Sequence, residues 1–526
     1  MSDTTTPYRS GLPNGRAGFA QTLRAEGTKL RTVRGWVIAL VVAGLLIVVM
    51  AAVATFHRQN TFQASPGSPV VVAHPFVPQG PGGEAVTDTF SFVHRPLAGD
   101  GSITVRVGSL TGLLAQSSTS HSTSADAQQA TRPGLVPWAK AGLIVKEGTK
   151  QGSPYAAIMV TGSHGVRLQY DYTHDVAGSP GTIAAAAPRW LRLSRSGDLL
   201  TGYESADGAQ WTRVGSARLA GLSETVQAGL FVTSPETRPS AQAFSSPSGS
   251  SASAVFDHVD LRGQWPEQSW SGGVVGAGTM TPTLTSGGYH QSDGTFTVSG
   301  SGDIAPAVDV GSTPADTLAG MFVGLIVVIV VGALFMTAEY RRGLIRTTLA
   351  ATPRRGRVLA AKALVLGAAT FAVGLVATAI AVPLGEHLLR VNGNYLYPVS
   401  VFSSVRVVAG TAGLLALAAI IALAVGTLLR RSAVAIVAVI AAIVLPNVLV
   451  ITAALPLTAS QWLLRLTPAA GLAIQQTLRA YPQVDYVYSP ATGYFPLAPW
   501  AGFAVLCAYA ALALGLAALA LRRRDA

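Results

Sequence analysis

This chain of 526 residues has a mean hydropathy of +0.41 and only 12% charged residues, too apolar a balance for an ordinary water-soluble domain. One cysteine excludes a disulfide framework. The net charge of +12 gathers beside apolar segments, so it reads as a membrane-topology signal and not as a nucleic-acid-binding surface.

Six stretches lack Lys, Arg, Asp and Glu altogether: 36–56, 318–338, 363–384, 407–429, 433–455 and 499–521. Hydrocarbon about 30 Å thick needs about 20 helical residues to cross it, and every stretch is long enough. They predict an all-α six-helix transmembrane bundle, with spans at 36–56, 317–338, 358–384, 407–429, 433–455 and 499–521.

In chain order, 1–35 comprises a polar tail and then a helix over 17–34. Phe19, Leu23, Leu30 and Val33 recur near helical spacing, while Arg24, Lys29 and Arg31 fall largely elsewhere. Such a basic amphipathic helix lies along the inner membrane surface. The position and length of the first apolar run argue against a cleavable signal. Residues 57–87, rich in Pro, Gly and Val, read as a linker. From 88 to 263 the pattern turns to short alternating strands, about ten of them with no helix, which predicts an antiparallel sandwich or jelly roll inserted between spans one and two. In 166–173, Val166, Leu168, Tyr170 and Tyr172 take one face and Arg167, Gln169 and Asp171 the other. Ser196-Gly197-Asp198 is a hairpin turn. Residues 116–134 and 234–253 read as disordered loops, and 264–316 as a strand-poor stalk. A basic loop follows at 339–357, then an outer loop at 456–498 with two short interfacial helices within 460–481, and a tail at 522–526.

With the N-terminus inside, the inner side collects 18 basic and four acidic residues (Asp3, Glu26, Glu339, Asp525), leaving 19 basic and 21 acidic residues outside. This is the asymmetry of the positive-inside rule. It predicts cytoplasmic termini and an external sandwich on a multi-pass plasma-membrane protein. Arg outnumbers Lys 32 to 5, which together with abundant Ala and Gly points to a bacterial source.

Two resemblances follow. The stretch Asp88–Phe92 with Pro96-Leu97-Ala98-Gly99-Asp100-Gly101-Ser102-Ile103 is followed by Trp138-Ala139-Lys140-Ala141-Gly142, Pro188-Arg189-Trp190-Leu191 and Tyr203-Glu204-Ser205-Ala206-Asp207-Gly208. This series resembles a concanavalin A-like (laminin-G-like) sandwich. The remaining chain resembles an ABC transporter type-2 permease, the six-span exporter fold. The residues that carry this are Arg31-Thr32-Val33-Arg34-Gly35-Trp36, Glu339-Tyr340-Arg341-Arg342-Gly343, Thr347-Thr348-Leu349-Ala350-Ala351-Thr352-Pro353 and Leu466-Thr467-Pro468-Ala469-Ala470-Gly471. The resemblance implies a dimer, either a homodimer or a paired permease, working with a cytoplasmic ATPase.

None of the five lysines follows a glycine, so the chain lacks the Gly-Lys pair of a P-loop. The chain is therefore expected to hold no cofactor and no catalytic site; ATP and Mg²⁺ belong to the partner subunit. The resemblance makes 339–357 a coupling helix seated on that ATPase, with Glu339, Arg341, Arg342, Arg346, Arg354 and Arg355 as its contact residues and Glu339 paired to Arg342 or Arg346. The spans read as free of ionisable groups, which favours an apolar or amphipathic substrate over ion-coupled transport. Pro383, Pro446, Asn447 and Pro456 read as kinks. In the sandwich, Asp171/Asp175 and Glu204/Asp207 are the nearest acidic pairs for glycosidase chemistry, but Asp207 reads as a turn residue. The nine histidines lack metal-ligand spacing. Trp190, opposite Leu191 and Leu193, is the candidate for stacking on an envelope glycan. The competing reading is a membrane-anchored glycan-binding or sensory protein, for which six spans are more than the task needs.

Overall fold

The computed structural model describes residues 18–58, 77–115, 131–182, 187–237, 248–277, 287–308, 310–341, 343, 354–452, 454–486, 488–489 and 492–523. Eight α-helices stand among them: α1 Phe19–Thr32, α2 Arg34–Phe56, α3 Met321–Arg341, α4 Arg355–Val391, α5 Val401–Leu429, α6 Ser432–Ile451, α7 Leu457–Leu466 and α8 Pro499–Arg523. Of these, α2–α6 and α8 are long and apolar enough to cross a membrane.

The amphipathic helix ends at Val33, whose extended backbone (φ −84°, ψ 90°) breaks α1 from α2. The most enclosed span is α5, which packs against α3, α4, α6 and α8. Its Ala- and Gly-rich sequence permits close approach. At Gly332 of α3, an added Cβ would lie 2.4 Å from the Ala419 carbonyl oxygen, so only glycine fits. In contrast, α2 and α8 leave most of their apolar surface uncovered.

Two helices outrun their predicted spans. The fourth helix extends over Arg355–Val391 and carries Lys362, Glu386, His387 and Arg390; the fifth starts at Val401 and carries Arg406. Hydropathy marks where charge stops, whereas a helix continues as long as its backbone bonds do. The predicted pair of interfacial helices also differs. α7 leaves Trp462 and Leu466 exposed, but Pro468–Gln475 forms a 3-10 helix buried along its whole length. Gly410 of α5 and Gly502 of α8 admit it, each with an added-Cβ distance of 2.2–2.3 Å to its atoms.

Among the described residues, sixteen strands lie between α2 and α3 in the chain. Strand β2, Phe90–Ala115, is 26 residues long and belongs to both layers. Its first half pairs with β11 (Thr225–Thr233) and β13 (Ser271–Val275); its second half pairs with β8 (Arg189–Ser196), β12 (Ser250–Gln264) and β3 (Thr131–Pro133). The change of partner follows Gly99, whose φ of +65° turns the strand. One layer continues from β11 through β4 (Lys140–Lys146), β5 (Tyr155–Thr161), β6 (Val166–Tyr170) and β7 (His174–Ala177). The other adds β9 (Leu199–Ser205) and β10 (Thr212–Arg218) on one side. On the other side it adds β15 (Thr295–Gly300) and β14 (Gly288–Ser292). Val93, Leu143, Ile158, Leu191, Leu230 and Phe256 of the two layers meet in one core.

The stretch read as a strand-poor stalk contributes β13–β15 to this sheet. It also supplies β16 (Ile304–Pro306), which pairs with β1 (Val86–Asp88). Their Gly, Ser and Thr side chains conceal the strand pattern, while their backbones satisfy the ladder. The alternation read through 166–173 stops at Tyr170. Asp171 (φ 43°) and Tyr172 (φ 59°) form a left-handed turn that swings Tyr172 beneath the layer into a second core with Phe90, Phe92, Tyr155 and Phe231.

The strands meet the helices through aromatic hydroxyls. Tyr395 Oη donates to the Gly83 carbonyl (2.7 Å), Tyr397 Oη to Ala307 (3.0 Å), and Ser312 bridges to Leu396.

Candidate functional site: a buried charge cluster joining three helices

At the end of the bundle away from the strands, Lys362 of α4 is 1% exposed and lies between two carboxylates. Its ammonium donates to Glu339 Oε1 of α3 at 2.6 Å and to Glu26 Oε2 of α1 at 2.8 Å. Lys29 of α1 closes the ring from outside, donating to Glu26 Oε1 at 3.0 Å and Glu339 Oε1 at 3.3 Å. Burial opposes charge on Lys29, but the two carboxylates outweigh it and raise its pKa above the ordinary lysine value. The Phe335 ring lies 4.9 Å from the Lys362 ammonium, and Trp36 meets that ring edge-on at 5.9 Å.

Two cations and two anions make the cluster neutral, which offsets the large cost of burying a lone ammonium. Each carboxylate sits on a different helix from Lys362, so the pairs are tertiary locks. Glu339 and Lys362 also stand at the two ends of segment 340–361, and their contact closes that segment at its base.

The sequence-predicted residues distribute unevenly around this lock. Glu339 is in it, and among the described residues its partners are Lys362 and Lys29. The described part of α3 ends at Arg341, and Gly343 has a left-handed φ of 66°. Arg342 and Arg346 lie outside the described residues. Arg341 is exposed, as is Arg354. Arg355 donates from Nη1 to the Leu521 carbonyl of α8 at 2.8 Å, tying the start of α4 to the last span. The third span therefore does contain an ionisable group, Lys362, against the reading of charge-free spans. Glu26, Lys29 and Lys362 were legible only as topology charges. Yet of the four acids that the charge count assigns to the basic side, Glu26 and Glu339 are the two outside the terminal tails, and a lone carboxylate on so basic a face calls for a partner.

In the strand region Trp190 sits opposite Leu191 and Leu193, as expected, but one ring face is occupied. Gly208 is so close that an added Cβ would lie 2.8 Å from Cε2, and the His258 ring meets Trp190 at 5.3 Å. Asp175 is engaged by Arg167 and by Gln169 Nε2. Asp207 accepts from the amides of Ala209 (2.8 Å) and Gln210 (2.9 Å), which draws its pKa below the ordinary carboxylate value. Glu204 Oε1 accepts from the Ser179 amide at 2.7 Å. Asp171 is held above its ordinary value by burial.

A family model described as ABC-2 family transporter protein matches residues 28–526. The chain belongs to the ABC-2 transporter family. It is thus a multi-pass membrane permease component of a kind that in general pairs with an ABC ATPase subunit. No curated protein matches. Among solved structures, a functionally unknown Saccharomyces cerevisiae protein is 16% identical, with 33% of this chain and 74% of that chain covered at a TM-score of 0.20. Scytalido-glutamic peptidase with a transition-state analog inhibitor is 10% identical, covering 40% and 98%, at 0.24. The same peptidase with a peptide-based analog is 8% identical, covering 41% and 98%, at 0.23. Scores this low carry no argument.

Proposed function

We propose that the chain is the permease subunit of a bacterial plasma-membrane ABC exporter, working as a dimer and driven by a separate cytoplasmic ATPase. Its substrate is apolar or amphipathic. The strand domain is a concanavalin A-like sandwich on the external side, where it meets a partner, an envelope glycan or the emerging substrate. The split of charge between the two sides supports this orientation.

The observation that carries the coupling reading is the Glu339–Lys362 contact at the base of 340–361, shared with Glu26 of α1. A push on this loop by a closing ATPase reaches α3 and α4 together, because their ends are clamped to each other. It reaches the surface helix as well. Two helices moving as one body tilt against α5, the rigid-body mode by which packed elements pass on a local displacement.

The test is purification of the tagged chain from its native host in mild detergent, with identification of whatever copurifies. The expected result is a stoichiometric ATPase, lost when 341–357 is replaced by a Gly/Ser linker. A folded chain that brings down no ATPase would overturn the reading and favour an anchored binding protein.

A further inference from the structure

At the strand-domain end of the bundle, a cavity of about 310 Å³ opens between α3, α6 and the buried 3-10 helix. Its floor holds Asn447, which is 3% exposed and follows Pro446 in α6. The bland account of an Asn beside a proline is that its carboxamide satisfies the carbonyl freed by the missing N–H. Among the described residues the Asn447 carboxamide makes no such bond, and its polar atoms are not fully enclosed where the residue lines the cavity. An amide left open to a cavity at this depth in an apolar helix is available to bond a molecule that enters it.

The walls add matching groups. The Thr477 hydroxyl is buried without a partner, and Gln475 lines the cavity while its amide donates to Thr411 Oγ1 at 3.1 Å. Among the described residues the charged lining side chains are Arg58 and Asp316, which neutralise each other at 2.9 Å. Phe322 and Leu472 supply apolar wall, and Ile451 belongs both to the cavity and to the exposed face of α6.

We infer that this cavity binds the uncharged, hydrogen-bonding head group of an amphiphile, of a size near one sugar ring. Asn447 reads the head, Thr477 borders it, and the apolar tail leaves past Ile451 toward the bilayer. Among the described lining residues, an anionic or cationic head would meet no free counter-charge. This deepens the exporter reading, on which it rests for the identity of the ligand as cargo, by giving that cargo a chemical class.

The experiment uses the full chain in lipid nanodiscs, with Cys507→Ala and Thr477→Cys providing one reporter thiol. Its modification by a small water-soluble methanethiosulfonate is timed with octyl glucoside below its micellar concentration, and with octyl phosphate or octyltrimethylammonium at equal concentration. The expected result is modification slowed about tenfold by the glucoside alone, with Asn447→Leu abolishing most of that protection. A thiol that never reacts, or equal protection by all three amphiphiles, would overturn the inference. Should Thr477→Cys misfold, Gln475→Cys serves as the reporter with the same two outcomes. The thiol-protection assay does not depend on an ATPase, so a failure to copurify one leaves this result standing while it overturns the exporter reading.

Discussion

Buried lysines occur in both halves of the molecule, and they are held differently. In the strand domain, Lys146 is fully buried at one end of β4. It donates to Asp88 Oδ2 (2.8 Å), the Tyr172 hydroxyl (2.9 Å) and the Ser153 carbonyl (2.9 Å). Lys140 at the other end donates to Asp303 (2.6 Å) and the Ile304 carbonyl (2.9 Å). The two staples pin β1 and the β16 approach beneath the sheet, and each includes a backbone acceptor that cannot choose another position. Among the described residues the hydrogen-bond partners of Lys362 are carboxylates, and both come from other helices. A lysine fixed by main chain holds one arrangement, whereas a lysine shared between two movable acids can hold more than one. The first pattern suits a scaffold and the second a joint that transmits motion.

The largest expected effect breaks the scaffold side. Lys146→Met leaves Asp88 buried without its cation, at a cost of about 3–5 kcal/mol. Denaturant unfolding of the solubilised chain, followed by tryptophan fluorescence, should show the loss, and Lys146→Met with Asp88→Asn should recover much of it. Equal loss in the single and double variants would contradict the staple.

Next comes the joint. Glu339→Ala should cut export-linked ATP hydrolysis severalfold while the protein remains in the membrane; Glu26→Gln should cut it less, since Lys362 keeps the Glu339 contact that closes the loop. Reversal of that order would place the weight on α1 instead. Smaller still is the response to pH, and it differs in sign between the halves. The raised pKa of Lys29 means that its tether of α1 is complete below the ordinary lysine value and is lost as pH rises through the higher folded value. Amide exchange of α1 should therefore quicken only at strongly alkaline pH. Hydrogen bonds from Arg106 hold Asp257 below the ordinary carboxylate value, so this β2–β12 pair stabilises above that value and is lost as pH falls through the folded one. Arg106→Gln should remove that acid-side step from the unfolding curve of the strand domain.

Much of this was legible in the sequence, for reasons that also explain the gaps. Charge-free runs located the six apolar helices because bilayer thickness imposes a length, and the Phe19/Leu23/Leu30 spacing located α1 because one face must meet apolar surface. Ser196-Gly197-Asp198 located the β8–β9 turn, with Gly197 at φ +58°. What escaped is tertiary. Lys362 borders an apolar run and is indistinguishable by hydropathy from a loop lysine; only the arrival of Glu26 from more than 300 residues away makes it a buried partner. The Asp171–Tyr172 turn was read through because its residues keep a strand-like alternation, although both have left-handed backbones. Asn447 appeared as a kink residue because sequence reports the proline beside it but not the empty space before it. The scarcity of lysine was itself a clue. Of five lysines, Lys140, Lys146 and Lys362 are buried in ion pairs and Lys29 joins the same cluster as Lys362, leaving Lys150 exposed. Arginine serves the topology, and the compact ammonium is kept for the places where a point charge must be enclosed.

The most direct test of the joint is the ATP hydrolysis rate of the copurified complex carrying Lys362→Met, compared with wild type and with the free ATPase. The expected result is an ATPase that stays bound but turns over near its uncoupled rate, with the unfolding of the strand domain unchanged. A bound ATPase that turns over at the wild-type rate would contradict the account and leave the cluster a static support.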